Sequence, residues 1–183
     1  MRDIIDQLER SLDRPEYFLS LFTALAIPDI GGALDSADGA ASGERYKEWY
    51  ERWVRPQFQR TVMSRIPEHA RGHVKLENPL TGDACYRFRC SLLHQGTTQH
   101  AKSPYSRIIF VEPGATTNTF HYNTLNDALN IDVASFCREI IAGAREWLDG
   151  VEGTERYKSN YDKFARRYPN GLAPYIVGVP VVG

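Results

Sequence analysis

The stretch from Asp132 to Gly150 does most to restrict what this chain can become. Val133, Phe136, Ile140, Ala144, Trp147 and Leu148 recur there at three- and four-residue steps, the spacing of one helix face. Asp132 is placed to cap the start and Gly150 to close the end. An apolar stripe about five turns long is stable only if other elements cover it.

Helical spacing elsewhere supplies those elements. Ile4, Ile5, Leu8 and Leu12 predict a helix over Asp3–Arg14. Pro15 suits the first turn of a second helix, with Phe18, Leu21, Phe22 and Leu25 as its buried stripe and Ile27-Pro28 as its end. Ser36–Gly43 is small and polar, a surface loop. Glu44–Gln57 carries Tyr46, Trp49, Tyr50 and Trp53 on adjoining faces, and Pro56 should distort or end that helix. Residues 59–79 show no clean period and are expected to be mostly loop. The next helix runs from a cap at Thr81 to a stop at Gly96 and buries Cys85, Phe88 and Leu92. A last helix covers about Thr154–Arg167, with Tyr157, Tyr161 and Phe164 on one side.

Only one segment reads strongly as a strand. Ser106–Glu112 is rich in β-branched and aromatic residues, and Phe120–Asn123 is its expected partner in a small hairpin, about residues 106–123. His121 alternates there with Phe120 and Tyr122 and is expected to face solvent. The tail YPNGLAPYIVGVPVVG contains three prolines and three glycines, which predicts an extended chain. At 183 residues and 42% hydrophobic, the sequence can fill one core. The expected fold is therefore mainly α: one domain over residues 1–183, a helical bundle with an inserted β-hairpin and an extended C-terminal tail.

Several chemistries are disfavoured. Cys85, Cys90 and Cys137 form no CxxC pair and are odd in number, which argues against a disulfide framework or a zinc ribbon and suits a reducing cytosol. The amphipathic, charged start MRDIIDQLERSL does not resemble a signal peptide, and no apolar run approaches the ~20 residues of a bilayer span. A soluble cytoplasmic protein with no membrane partner is expected. Phosphate-loop, dinucleotide, zincin and nucleophile-elbow patterns are missing. His69 and His73 stand four apart, but no cysteine or carboxylate completes a ligand set, so neither metal nor cofactor is expected. The net charge is −1, yet residues 1–43 hold three Arg against eight Asp/Glu while residues 44–75 hold eight Lys/Arg against four Glu, which allows a local positive surface.

The remaining chemistry sits in YRFRCSLLHQG, Tyr86 to Gly96. Arg87, Arg89 and His94 place permanent cations and a titrating group toward one helix end. Arg87 and His94 are seven apart and nearly eclipsed. Arg89 and His94 are about 140° apart at ~100° per residue, so they do not stack on an ideal helix. Such a pair is sufficient for RNA cleavage without metal: the histidine moves a proton and the arginine stabilises charge on phosphate. The same residues also suit plain structure, with outward arginines and a last-turn histidine capping carbonyls.

At this motif the sequence resembles the HEPN superfamily, all-α bundles marked by Arg, four to six residues, then His near the end of a late helix. RCSLLHQG is similar to the family's RN-S-LLH-G pattern, with Ser91, Leu93, His94 and Gly96 in place. The strong match spans about 12 residues. Cys90 stands where active members usually carry Asn, Asp or His, and a thiol is a poor hydrogen-bonding substitute. The resemblance implies a metal-independent endoribonuclease, its site built across a homodimer, in a toxin–antitoxin, defence or stress setting with an antitoxin or other protein partner. Arg89 would hold the scissile phosphate of RNA and His94 would act as acid/base, with Arg87 and Ser91 as binding or helper residues. It equally implies a non-catalytic module that binds RNA, nucleotides or protein.

Overall fold

The computed structural model describes residues 1–72, 76–115 and 120–183, and it is a helical bundle carrying small sheets. Helix α1 (Arg2–Ser11) and α2 (Tyr17–Leu34) lead to α3 (Gly43–Trp49), a π-turn (Tyr50–Val54), α4 (Arg55–Arg65) and the single-turn α5 (Glu68–Arg71). After α6 (Gly82–Gln95) come β1 (Arg107–Val111), β2 (Asn123–Leu125) and β3 (Ala128–Asp132). Then follow α7 (Val133–Val151), α8 (Glu155–Tyr161) and the tail strands β4 (Arg167–Tyr168), β5 (Gly171–Leu172), β6 (Ile176–Val177) and β7 (Val181–Val182).

Helix α7 is the central element. Asp132 ends β3 and caps α7 at once, its carboxylate accepting the Ser135 N–H at 2.6 Å. The expected stripe is buried throughout, and Trp147 meets Trp49 edge-on at 5.6 Å. α1, α2 and the π-turn cover it. The helix runs through Gly150 to Val151 rather than stopping there.

Helix α2 departs most from expectation. It continues through Pro28 to Leu34. Its buried face is made by Leu21, Ala24, Leu25, Pro28, Gly31 and Gly32, about 100° around the helix from Phe18. The glycines decide this: a Cβ on Gly31 would lie 2.6 Å from the Trp49 indole, and one on Gly32 3.1 Å from the Arg45 backbone. Close approach of α3 there turns Phe18 and Phe22 outward, so two residues of the expected stripe are exposed. By length and composition α2 also qualifies as a membrane span, contrary to the expectation that no run does, but half of it is buried inside the protein.

Pro56 distorts the third helix without ending it. Its ring would collide with the Arg52 carbonyl and it lacks the N–H for that turn, and the π-turn just before it widens the backbone to relieve both. Helix α4 therefore extends to Arg65 through a stretch expected to be loop.

The expected hairpin is replaced by a different pairing. β1 lies parallel to β3, and β2 pairs antiparallel with β3 through a two-residue turn in which Asn126 (φ 50°) and Asp127 (φ 59°) are both left-handed. Asn123, expected opposite β1, is instead bonded to the far side of β3. His121 is not a solvent-facing strand residue: its side chain is 10% exposed and its Nε2 lies 3.0 Å from the buried Glu139 carboxylate. α8 is shorter than expected, and the tail is extended as two small antiparallel ladders, β4 with β7 and β5 with β6. His73, half of the weighed histidine pair, lies outside the described residues, and no metal-binding cluster occurs among those described.

Candidate functional site

Helix α6 forms as its local signals require. Thr81 Oγ1 accepts the Ala84 N–H at 3.2 Å. At the other end Gly96 adopts φ 65°, and the N–H groups of Gly96 and Thr97 donate to the carbonyls of Leu92 and Ser91. The helix lies tight on α3 because Gly82 has no side chain; a Cβ there would stand 2.6 Å from the Lys47 carbonyl. Ala84, Cys85, Phe88, Ser91 and Leu92 face the core, which leaves Tyr86, Arg87, Arg89, Cys90 and His94 toward the outside.

The two arginines then separate. Arg87 is held one turn back by Asp83, with Nε to Oδ2 at 2.5 Å, and Lys47 reaches the same carboxylate at 2.8 Å. These two cations hold the Asp83 carboxyl down at about 2. Arg87 therefore belongs to a neighbouring surface with Lys47, His100 and Lys102. Arg89 reaches His94 instead, Nη1 to Nε2 at 2.9 Å. The eclipsed pair is thus not the one that meets, because Asp83 diverts Arg87, while the length of the Arg89 side chain spans the 140° offset.

A third residue, not foreseen from the sequence, completes the arrangement. Asp29 of α2 places Oδ2 2.6 Å from Arg89 Nη2, with side-chain exposures of 16% for Asp29 and 19% for Arg89. That oxygen and Arg89 Nε are buried outside hydrogen-bonding geometry among the described residues, so the contact is electrostatic. Burial pushes the Asp29 carboxyl upward, against the pull of Arg89 and His94. Partial burial works against the Arg89 charge, and Asp29 with the neighbouring Cys90 thiol more than offsets it. A signal for Asp29 did exist: it is the sole charge in the 18 residues of α2. Ending the helix at Pro28 placed it in a turn and hid its register.

Ser91 faces the core, and its hydroxyl has no hydrogen-bond partner among the described residues, so it does not share the Arg89–His94 surface. Cys90 is half-buried beside Tyr86, whose hydroxyl is pushed up first by that thiol and then by burial. The other cysteines are fully buried, and burial raises both Cys85 and Cys137 to about 12. At pH 8 each is then roughly one part in ten thousand thiolate. Native protein is expected to take one maleimide per chain, on the Cys90 peptide, and three after denaturation; mass spectrometry reads both numbers.

In this arrangement a largely buried guanidinium stands between an exposed imidazole on Nη1 and a half-buried carboxylate on Nη2. A guanidinium only donates, so His94 Nε2 accepts and the ring proton sits on Nδ1. On the same side of α2 as Asp29, within a sector of about 40°, lie Phe18 and Phe22. Phe18 is 75% exposed and its neighbour Leu19 62%, and the two phenyl rings meet edge-on at 6.3 Å. No protein-family model, curated protein or solved structure matches the chain.

Proposed function

We propose that the chain is a HEPN-like, metal-independent endoribonuclease acting as a homodimer. The observation that carries this reading is the 2.9 Å contact between Arg89 and His94 on an open helix end, directed at each other and not at backbone carbonyls. A phosphodiester entering the site takes Arg89 Nη1 from the imidazole. That frees the Nε2 lone pair to remove the proton of the ribose 2′-hydroxyl. The 2′-oxygen then bonds to phosphorus, the bond to the 5′-oxygen breaks, and the proton passes to the leaving oxygen. Arg89 stabilises the added charge on the phosphoryl oxygens. The products are a 2′,3′-cyclic phosphate and a 5′-hydroxyl, and end analysis of mixed RNA digested in the presence of EDTA tests the assignment. A cytoplasmic toxin, defence or stress role, with an antitoxin or other protein partner, belongs to the same proposal.

The second reading, a binding module without turnover, is favoured by one feature. Asp29 neutralises much of the Arg89 charge, which weakens the hold on a transition state more than on a ground state already bound elsewhere. RNA retained in a filter assay without cleavage selects it.

The dimer rests on α2. Phe18, Leu19 and Phe22 form an exposed apolar patch that points along the helix to Asp29, and a two-fold pairing through it would bring two Arg89–His94 sites together. The double change Phe18→Glu, Phe22→Glu falls on exposed positions of α2, so it is expected to give a folded monomer by light scattering and to lower cleavage. A wild-type protein that is monomeric at about 50 μM, well above a micromolar dissociation constant, would remove this element.

A further inference from the structure

A cleft adjoins the Arg89–His94 site on the outer face of α6. It measures about 320 Å³ and is walled by that helix, by Lys47 of α3 and by the turn that follows Gly96. Its charges are Lys47, Arg87 and Lys102 against the single carboxylate of Asp83. Asp83 holds both Lys47 and Arg87, which leaves one positive charge over in that trio, and Lys102 adds a second. Lys102 is exposed and has no carboxylate at ion-pair distance among the described residues. Lys47 and Arg87 keep 37% and 27% of their side chains in solvent, so both cations can be reached from outside. The imbalance continues along the chain: residues 84–111 contain four Lys/Arg and two histidines and no Asp or Glu.

The turn after α6 is fixed by its own hydrogen bonds. The Ser103 N–H donates to the His100 carbonyl at 2.9 Å, and the Lys102 N–H donates to His100 Nδ1 at 3.1 Å. Accepting through Nδ1 leaves the imidazole proton on Nε2, a further donor at the cleft. On α6, Arg87 and Cys90 of the cleft share a sector of about 60° with His94. Arg87 and His94 are about 10 Å apart along the axis, at ~1.5 Å per residue. A nucleic-acid strand covers that distance in about three nucleotides, at ~3.4 Å per step. Surplus cations in line with an acid/base at this spacing suit the repeated phosphates of such a strand better than one small anion. We propose that the cleft holds the phosphate backbone of an RNA strand about three nucleotides from the bond presented to Arg89 and His94. This extends the RNA reading above and does not require turnover.

The probe is a fluorescent single-stranded dodecamer of mixed sequence with 2′-O-methyl riboses, which has no 2′-hydroxyl to attack phosphorus and stays intact. Anisotropy titrations at about 50 mM and about 200 mM salt are expected to show saturable binding to the wild type that weakens as salt rises. Lys102→Glu, in an exposed turn, is expected to weaken binding roughly tenfold at the lower salt and to make the slope of log K against log salt shallower by about 1. Lys163→Glu makes the same charge change on an exposed residue beyond α8, outside the cleft, and is expected to leave binding within about twofold. Absence of saturable binding to the wild type up to about 100 μM overturns the proposal. Undiminished binding in Lys102→Glu, or an equal loss in Lys163→Glu, overturns it as well. Cleavage of natural RNA is read separately with EDTA present. Binding of the methylated strand through Lys102 without any cleavage keeps this inference and removes the nuclease; cleavage without Lys102-dependent binding does the reverse.

Discussion

His94→Ala is expected to lower metal-independent RNA cleavage by about 10²–10⁴-fold, the usual contribution of a positioned acid/base, while the protein stays folded. The second half of that expectation comes from position. His94 is exposed in the last turn of α6, its one described side-chain partner is Arg89, and removing the ring opens no cavity. Gly96 closes the helix by itself through its left-handed backbone, so the histidine is not needed as a cap. Arg89 is a poorer choice for this test. Deleting it would leave the Asp29 carboxylate half-buried without its cation, a change in stability as well as in chemistry. The measurement is cleavage of mixed RNA with EDTA present, beside a thermal melt of both proteins. Cleavage retained in a folded His94→Ala protein would sink the ribonuclease assignment.

Gly143→Ala is expected to give a large loss of stability from a single added methyl group in the centre of the core helix. A Cβ on Gly143 would stand 2.8 Å from the Trp53 carbonyl carbon and closer still to its oxygen. The obstacle is backbone in the π-turn, so no rotamer change relieves it. Overpacking of this kind costs about 3 kcal/mol, and alanine in a helix returns about 1 kcal/mol through reduced chain entropy. The net is a destabilisation of about 2 kcal/mol, or a melting temperature lower by roughly 4–8 °C for a chain of this size. Gly150, seven residues on in the same helix, has nothing within 4 Å of its would-be Cβ, and alanine there should stabilise by about 0.5–1 kcal/mol. Urea unfolding followed by tryptophan fluorescence compares the two; equal signs would mean that the approach of α7 to the π-turn is looser than described.

How far the site was legible depends on the range of the interactions. Arg89 and His94 are in one helix whose cap and stop are both local, so their candidacy could be read directly. Their partner Asp29 is 60 residues away, and recognising it required knowing that α2 survives Pro28. His121 was legible only as a member of an alternating apolar stretch, because Glu139, which turns it inward, is brought to it by the placement of β3 and α7.

The sequence by itself determined the helices whose boundaries are set by neighbours in the chain. Thr81, Asp132 and Thr154 each accept an N–H three residues on, Gly96 stops α6, and the α7 stripe is buried as its spacing requires. Only the tertiary structure decided the rest. It chose β3 over Phe120–Asn123 as the partner of β1, set the face of α2 by the close approach of α3 at Gly31 and Gly32, and separated Arg87 from Arg89. Caps and periodicity are satisfied within one or two turns, whereas strand partners, helix faces and ion pairs are chosen by competition among groups that meet only once the core has formed.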